Sequence, residues 1–158
     1  MKSLVALVVS FVVCFAAAAI GGLATRRAPE FYEALSQPSW APPASLFGPV
    51  WTVLYALMAI AVWLVWKERS AAGAGTALTL FLVQLALNAL WSWLFFAWQL
   101  GTAARVEIVV LLVVIALTIA AFWRVRPLAG ALMLPYLAWV AYATALTFAL
   151  VRQNPGIL

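Results

Sequence analysis

The chain has 158 residues, 68% of them hydrophobic and only 8% charged, against roughly 25% charged residues in an average soluble domain. Such a composition excludes a water-soluble globular domain and points to an integral, multi-pass membrane protein. The chain has no histidine, no aspartate and one cysteine, so a Ser/His/Asp triad, a His or Cys zinc site and an internal disulfide framework are all excluded.

Five stretches are apolar over the length that spans a hydrocarbon core, about 20 helical residues each: Leu4 to Ala24, Leu46 to Trp66, Ala77 to Trp98, Val106 to Trp123 and Leu128 to Val151. The intervals between them are short except for residues 25–45. The expectation is an all-α membrane protein, a single bundle of five transmembrane helices occupying 1–158, with a long first loop that contains a short helix.

The first span opens with Lys2 and an apolar run that ends in alanines, which also fits a signal peptide. The run continues through Gly21, Gly22 and Leu23, beyond the usual h-region of about 7 to 15 residues, and this favours a span. Ala17 with Gly21 and Ala18 with Gly22 give the small-residue spacing of closely packed helices. Cys14 reads as a small apolar residue inside this span.

In the loop, Ala28-Pro29 suits the start of a short helix. Arg26, Arg27, Tyr32, Trp40, Pro42 and Pro43 mark it as a lid or entrance, with the arginines placed to meet ligand carboxylates. A solvated connector is the alternative. The segment Trp40 to Tyr55 is irregular and rich in rings and prolines. Lipid cannot satisfy free backbone groups, so such a segment at a membrane entrance is expected to pack on protein or line a cavity.

The second span puts Trp51 and Tyr55 four apart on one face, with Pro49 near the helix start, where a missing N–H does little harm. In the third, Gln84, Asn88, Trp91 and Phe95 share a face with Ser92 beside them. Amides in lipid mark either a pocket or a helix contact, and both readings stay open for Gln84 and Asn88. The fourth span is nearly all aliphatic and reads as a lipid-facing wall, with Glu107 near its end pairing locally with Arg105. The fifth aligns Tyr136, Trp139, Ala143 and Thr147, and Pro135 inside it is expected to kink the axis.

Tryptophans in membrane proteins gather at the interface. Trp63, Trp66, Trp98 and Trp123, at span ends, fit that reading; Trp40 also fits it, whereas Trp51, Trp91 and Trp139 share faces with polar or proline features and are assigned to a pocket. The net charge of +5 comes from cations spread over loops and termini, so membrane flanking explains it and no nucleic-acid partner is expected. Lys2, Lys67, Arg69, Arg124 and Arg126 on one side against Arg26, Arg27, Arg105 and Arg152 on the other favour a cytoplasmic N-terminus only weakly.

Taken together, Phe31-Tyr32-x-x-Leu35-x-Gln37-Pro38-Ser39-Trp40-x-Pro42-Pro43, Phe47-Gly48-Pro49-Val50-Trp51-Thr52-x-Leu54-Tyr55, Gln84-Leu85-x-Leu87-Asn88-x-x-Trp91-Ser92-x-x-Phe95-Phe96 and Pro135-Tyr136-Leu137-Ala138-Trp139 followed by Ala143-Thr144 are distinctive. The chain resembles the TspO/MBR family, the bacterial tryptophan-rich sensory proteins and mitochondrial translocator (peripheral benzodiazepine receptor) proteins. The resemblance implies a five-helix bundle, usually a homodimer embedded among membrane lipids, with one pocket per subunit under the first loop. Its ligands would be porphyrins such as protoporphyrin IX, haem-related tetrapyrroles and benzodiazepine-site drugs, with cholesterol bound by animal members. Carried over by motif, the pocket residues are Trp51, Tyr55, Asn88, Trp91, Ser92, Trp139, Ala143 and Leu146.

Two departures stand out. Thr147 replaces a common asparagine, and Phe148 and Ala149 stand where the cholesterol motif expects a tyrosine before Arg152. Sterol recognition is therefore not expected. The implied function is a porphyrin-binding sensor or transporter that regulates tetrapyrrole metabolism or a stress response, with no required cofactor and no metal site. The alternative is light- and oxygen-dependent porphyrin degradation with Trp51 and Trp139 as redox partners. A proton-coupled exporter is disfavoured, because the glutamates, Glu30, Glu33, Glu68 and Glu107, fall in loops or at span ends.

Overall fold

A computed structural model describes residues Lys2 to Leu158, the side chain of Lys2 excepted. Its helices in chain order are α1 (Lys2–Ala24), α2 (Ala28–Ala34), α3 (Phe47–Lys67), α4 (Ala74–Ser92), α5 (Gly101–Val125), α6 (Pro127–Leu132) and α7 (Leu134–Gln153). A 3₁₀ turn, Ala44–Leu46, leads into α3, and a π-helical turn, Trp93–Ala97, extends α4. Five segments are long and apolar enough to cross a membrane: Ser3–Ala24, Ala44–Lys67, Ala74–Ala97, Gly101–Val125 and Pro127–Gln153.

The expected short helix in the first loop is α2, with Pro29 in its first turn, where the absent N–H has no intrahelical partner to lose. The expected kink in the fifth span is a break. Helix α6 stops at Leu132 and α7 restarts at Leu134, so Pro135 sits in a first turn instead of a helix interior. Between α5 and α6 the backbone folds back tightly. A Cβ on Gly130 would lie 2.6 Å from Trp123 Cε3, so this corner closes only around glycine.

Helix α1 packs against α3 and α4, while α5 packs against α4 and α7. Gly21 is the contact point between α1 and α4; its Cβ position lies 3.4 Å from Ser92 Oγ, as the small-residue spacing anticipates. Gly22, by contrast, faces open space.

The fourth span is a lipid-facing wall on one side only. Ala104, Ile108, Leu111, Ile115, Ile119 and Phe122 of α5 are buried at helical spacing, while Val106, Val109, Val110, Val113 and Leu117 face outward. A helix that is apolar all round hides its inward stripe from any reading of hydropathy. Toward the end where α3 and α5 terminate, the core is filled. Phe81 stacks on Phe122 at 5.7 Å, with Met58, Met133 and Tyr136 fully buried around them.

Candidate functional site

At the other end the helices splay around a cavity of about 570 Å³, within the roughly 300–1,000 Å³ of small-molecule sites. Helix α3 contributes Trp51 and Tyr55, α4 contributes Asn88, Trp91 and Ser92, and α7 contributes Trp139, Ala143 and Leu146. All eight residues expected at the pocket line it. They come from three helices and meet because each supplies one inward stripe at helical spacing.

The floor is a chain of hydrogen bonds linking these three helices. Tyr55 Oη donates to Asn88 Oδ1 at 2.6 Å, Asn88 Nδ2 donates to Tyr136 Oη at 2.8 Å, and Tyr136 Oη donates to Gln84 Oε1 at 2.8 Å. The two readings of the amides divide between them: Asn88 faces the cavity and also bridges helices, whereas Gln84 is fully buried beneath it and only bridges. Each polar group in the chain has a partner, which a low-dielectric interior requires.

The walls are aromatic. Trp51 stands 5.7 Å from Tyr55 and 6.1 Å, edge to face, from Tyr136. Trp91 stacks on Phe95 at 5.1 Å, and Trp139 meets Phe47 at 6.1 Å. The π-helical turn inserts one residue per turn beyond the α-helical count just after Trp91 and Ser92, with Trp98 N–H bonding Trp93 O at 2.8 Å, and such turns cluster at functional sites. Amid these rings the Trp91 indole N–H is buried without a hydrogen-bond partner among the described residues.

The first loop is fastened as a lid. Tyr32 lines the cavity from above and its hydroxyl donates to Pro42 O at 2.9 Å. Burial, with a smaller contribution from Tyr142, pushes the Tyr32 phenol up to about 12, so it stays a donor throughout the physiological range. Asn154, beyond α7, clips the loop from below. Its Oδ1 accepts the Ser36 N–H at 2.8 Å and its Nδ2 donates to Ser36 O at 2.9 Å.

Other lid residues lie outside the lining. Pro42 is buried as the acceptor of Tyr32, and Pro43 precedes the 3₁₀ turn. Trp40 is half exposed, packs edge to face on Tyr142 at 5.8 Å and accepts the Tyr142 hydroxyl on its carbonyl. Arg26 and Arg27 are exposed between Thr25 and Ala28, which do line the cavity, so the two cations stand at the mouth and not inside.

Two further residues differ from expectation. Glu107 does not pair with Arg105; it is buried with both carboxylate oxygens unpartnered among the described residues, and Arg105 instead bonds Thr102 Oγ1 at 3.3 Å and covers the Phe148 ring. Residues two apart on a helix do not face one another. Sequence reasoning also missed α1 as a wall, where Phe15, Ala18 and Gly21 line the cavity. Small apolar side chains carry no polar mark; only the paired small residues hinted at a close surface there.

Fold and cavity together define the class: an integral, multi-pass membrane protein that encloses a small-molecule-sized, aromatic-walled cavity beneath a loop lid. The profile of the TspO/MBR family matches residues 10–152. The chain is similar to the tryptophan-rich protein TspO of Chlorobaculum tepidum, with 38% identity covering 98% of this chain and 99% of that one. It is 42% identical to the human translocator protein over 80% of this chain and 76% of that one, and 37% identical to protein CrtK of Rhodobacter capsulatus over 98% and 96%. The chain belongs to the TspO/MBR family.

Proposed function

We propose that the protein is a membrane receptor for porphyrins, bound one per chain in the cavity under the lid. The observation that carries this reading is the cavity of about 570 Å³ walled by Trp51, Trp91, Trp139 and Tyr55. A flat conjugated ring gains from stacked and edge-on aromatic contacts.

The carboxylates of such a ligand point to the mouth, where Arg26 and Arg27 are exposed at the rim and meet them without burying charge. Relatives named "sensory protein" and "translocator protein" support signalling or transport as the output of binding. The homodimer implied by the family resemblance belongs to the same proposal. Light scattering on the purified protein supports it with a mass of two chains and overturns it with a mass of one.

Titration of the purified protein with protoporphyrin IX, read by tryptophan quenching, tests the binding. Saturable quenching that weakens in Trp51→Phe and Trp139→Phe is expected. Absence of quenching, or quenching unchanged in both variants, overturns the proposal.

A further inference from the structure

The filled end of the bundle carries a second cavity that the porphyrin reading leaves unused. It is a groove of about 560 Å³ between the first half of α1, the last half of α3 and the first half of α4. Val9 and Val13 form one wall, Val62 and Trp66 another, Leu82 the third, and the buried Phe81 the floor. The hydroxyl of Ser10, also within it, is already bonded to Ala6 O at 2.9 Å, so that side chain offers its donor to no polar ligand.

At the end where α3 leaves the groove stand two cations held in place by indoles. Lys67 Nζ lies 4.7 Å over the Trp63 ring, and the Arg69 guanidinium 5.4 Å over the ring of Trp66, itself a groove wall. The one carboxylate near them, Glu68, pairs with Arg126 at 3.1 Å. Among the described residues Lys67 and Arg69 therefore have no carboxylate partner. With Arg124 also at this end of the bundle, the described charged side chains there are four cations, Lys67, Arg69, Arg124 and Arg126, and one acidic group, Glu68.

We propose that the groove binds an anionic phospholipid, one acyl chain lying along Val9, Val62 and Phe81 and the phosphate meeting Lys67 and Arg69. An apolar trough whose Trp66 wall carries Arg69, with Lys67 over the neighbouring Trp63, matches the two ends of such a lipid. A sterol offers one hydroxyl and leaves both cations unmet. A second copy docked by a two-fold axis brings its own Lys67 and Arg69 toward the first pair, so like charges meet. Two cations at ordinary membrane-surface strength set a preference for anionic over neutral lipid on the order of tenfold.

The test reconstitutes the full chain in phosphatidylcholine vesicles with a minor fraction of either acyl-brominated phosphatidylglycerol or acyl-brominated phosphatidylcholine. Bromine quenches only nearby indoles, and the difference between wild type and Trp66→Phe isolates the signal of Trp66. Stronger quenching by the anionic lipid, on the order of tenfold per mole, is expected, and its loss in the double variant K67Q/R69Q, whose side chains are exposed. Equal quenching by the two lipids, or a preference that survives in the double variant, overturns the proposal. Failure of either lipid to reach Trp66 while chains cross-link through α1 overturns it in favour of a second copy.

Discussion

The two halves of the bundle carry different inward stripes, and only the half beneath the lid leaves its interior open. Beneath the lid, α3, α4 and α7 present tryptophan, tyrosine and amide side chains around about 570 Å³ of cavity. At the other end, Phe81, Phe122, Met58 and Met133 meet and fill the space. The boundary between them is the hydrogen-bonded chain Tyr55, Asn88, Tyr136 and Gln84. Beneath the lid the rings are held apart on three helices by that hydrogen-bonded floor, and the cavity persists for that reason. At the other end the two phenylalanines stack on each other and flexible methionines fill what is left.

If that chain divides the halves, removing its central amide produces the largest effect. Asn88→Leu leaves the Tyr55 hydroxyl without its acceptor, while Tyr136 keeps its bond to Gln84, and costs about 1–3 kcal/mol, the range for one unsatisfied buried group. Thermal unfolding in detergent reads this as a lowered midpoint together with weakened ligand binding. An unchanged midpoint removes Asn88 from its role as the brace.

Helix α5 sharpens the contrast from outside the cavity, since none of its residues lines it. Glu107→Leu removes two unpartnered buried oxygens and raises stability by about 1–3 kcal/mol, while porphyrin affinity stays unchanged. A fall in both stability and affinity assigns the carboxylate a partner in the working protein and contradicts its placement outside the site.

The site was legible where chemistry stands out against lipid. A tryptophan or amide inside an aliphatic span is a sharp mark, and Trp51, Asn88, Trp91 and Trp139 each fell on a stripe with a period the helix explains. The five spans were legible for the same reason in reverse, as long apolar runs in which such marks are few. Where every residue is apolar the marks vanish. The inward stripe of α5 and the α1 wall at Phe15 and Ala18 are invisible to hydropathy, because lipid-facing and protein-facing positions have the same composition. The break at Met133 was legible only as a kink at Pro135, and the π-helical turn after Ser92, whose backbone bonds are made within its own segment, carries no mark in the sequence.

The cavity itself is tested most directly by filling it. Ala143 lines the wall beside Trp139, and Ala143→Trp places an indole where the ligand would lie while leaving every hydrogen bond of the floor in place. With a thermal midpoint near that of the wild type showing the fold intact, protoporphyrin IX is expected to bind at least tenfold more weakly, a loss of about 1.4 kcal/mol or more. Wild-type affinity in this folded variant would place the porphyrin elsewhere on the protein.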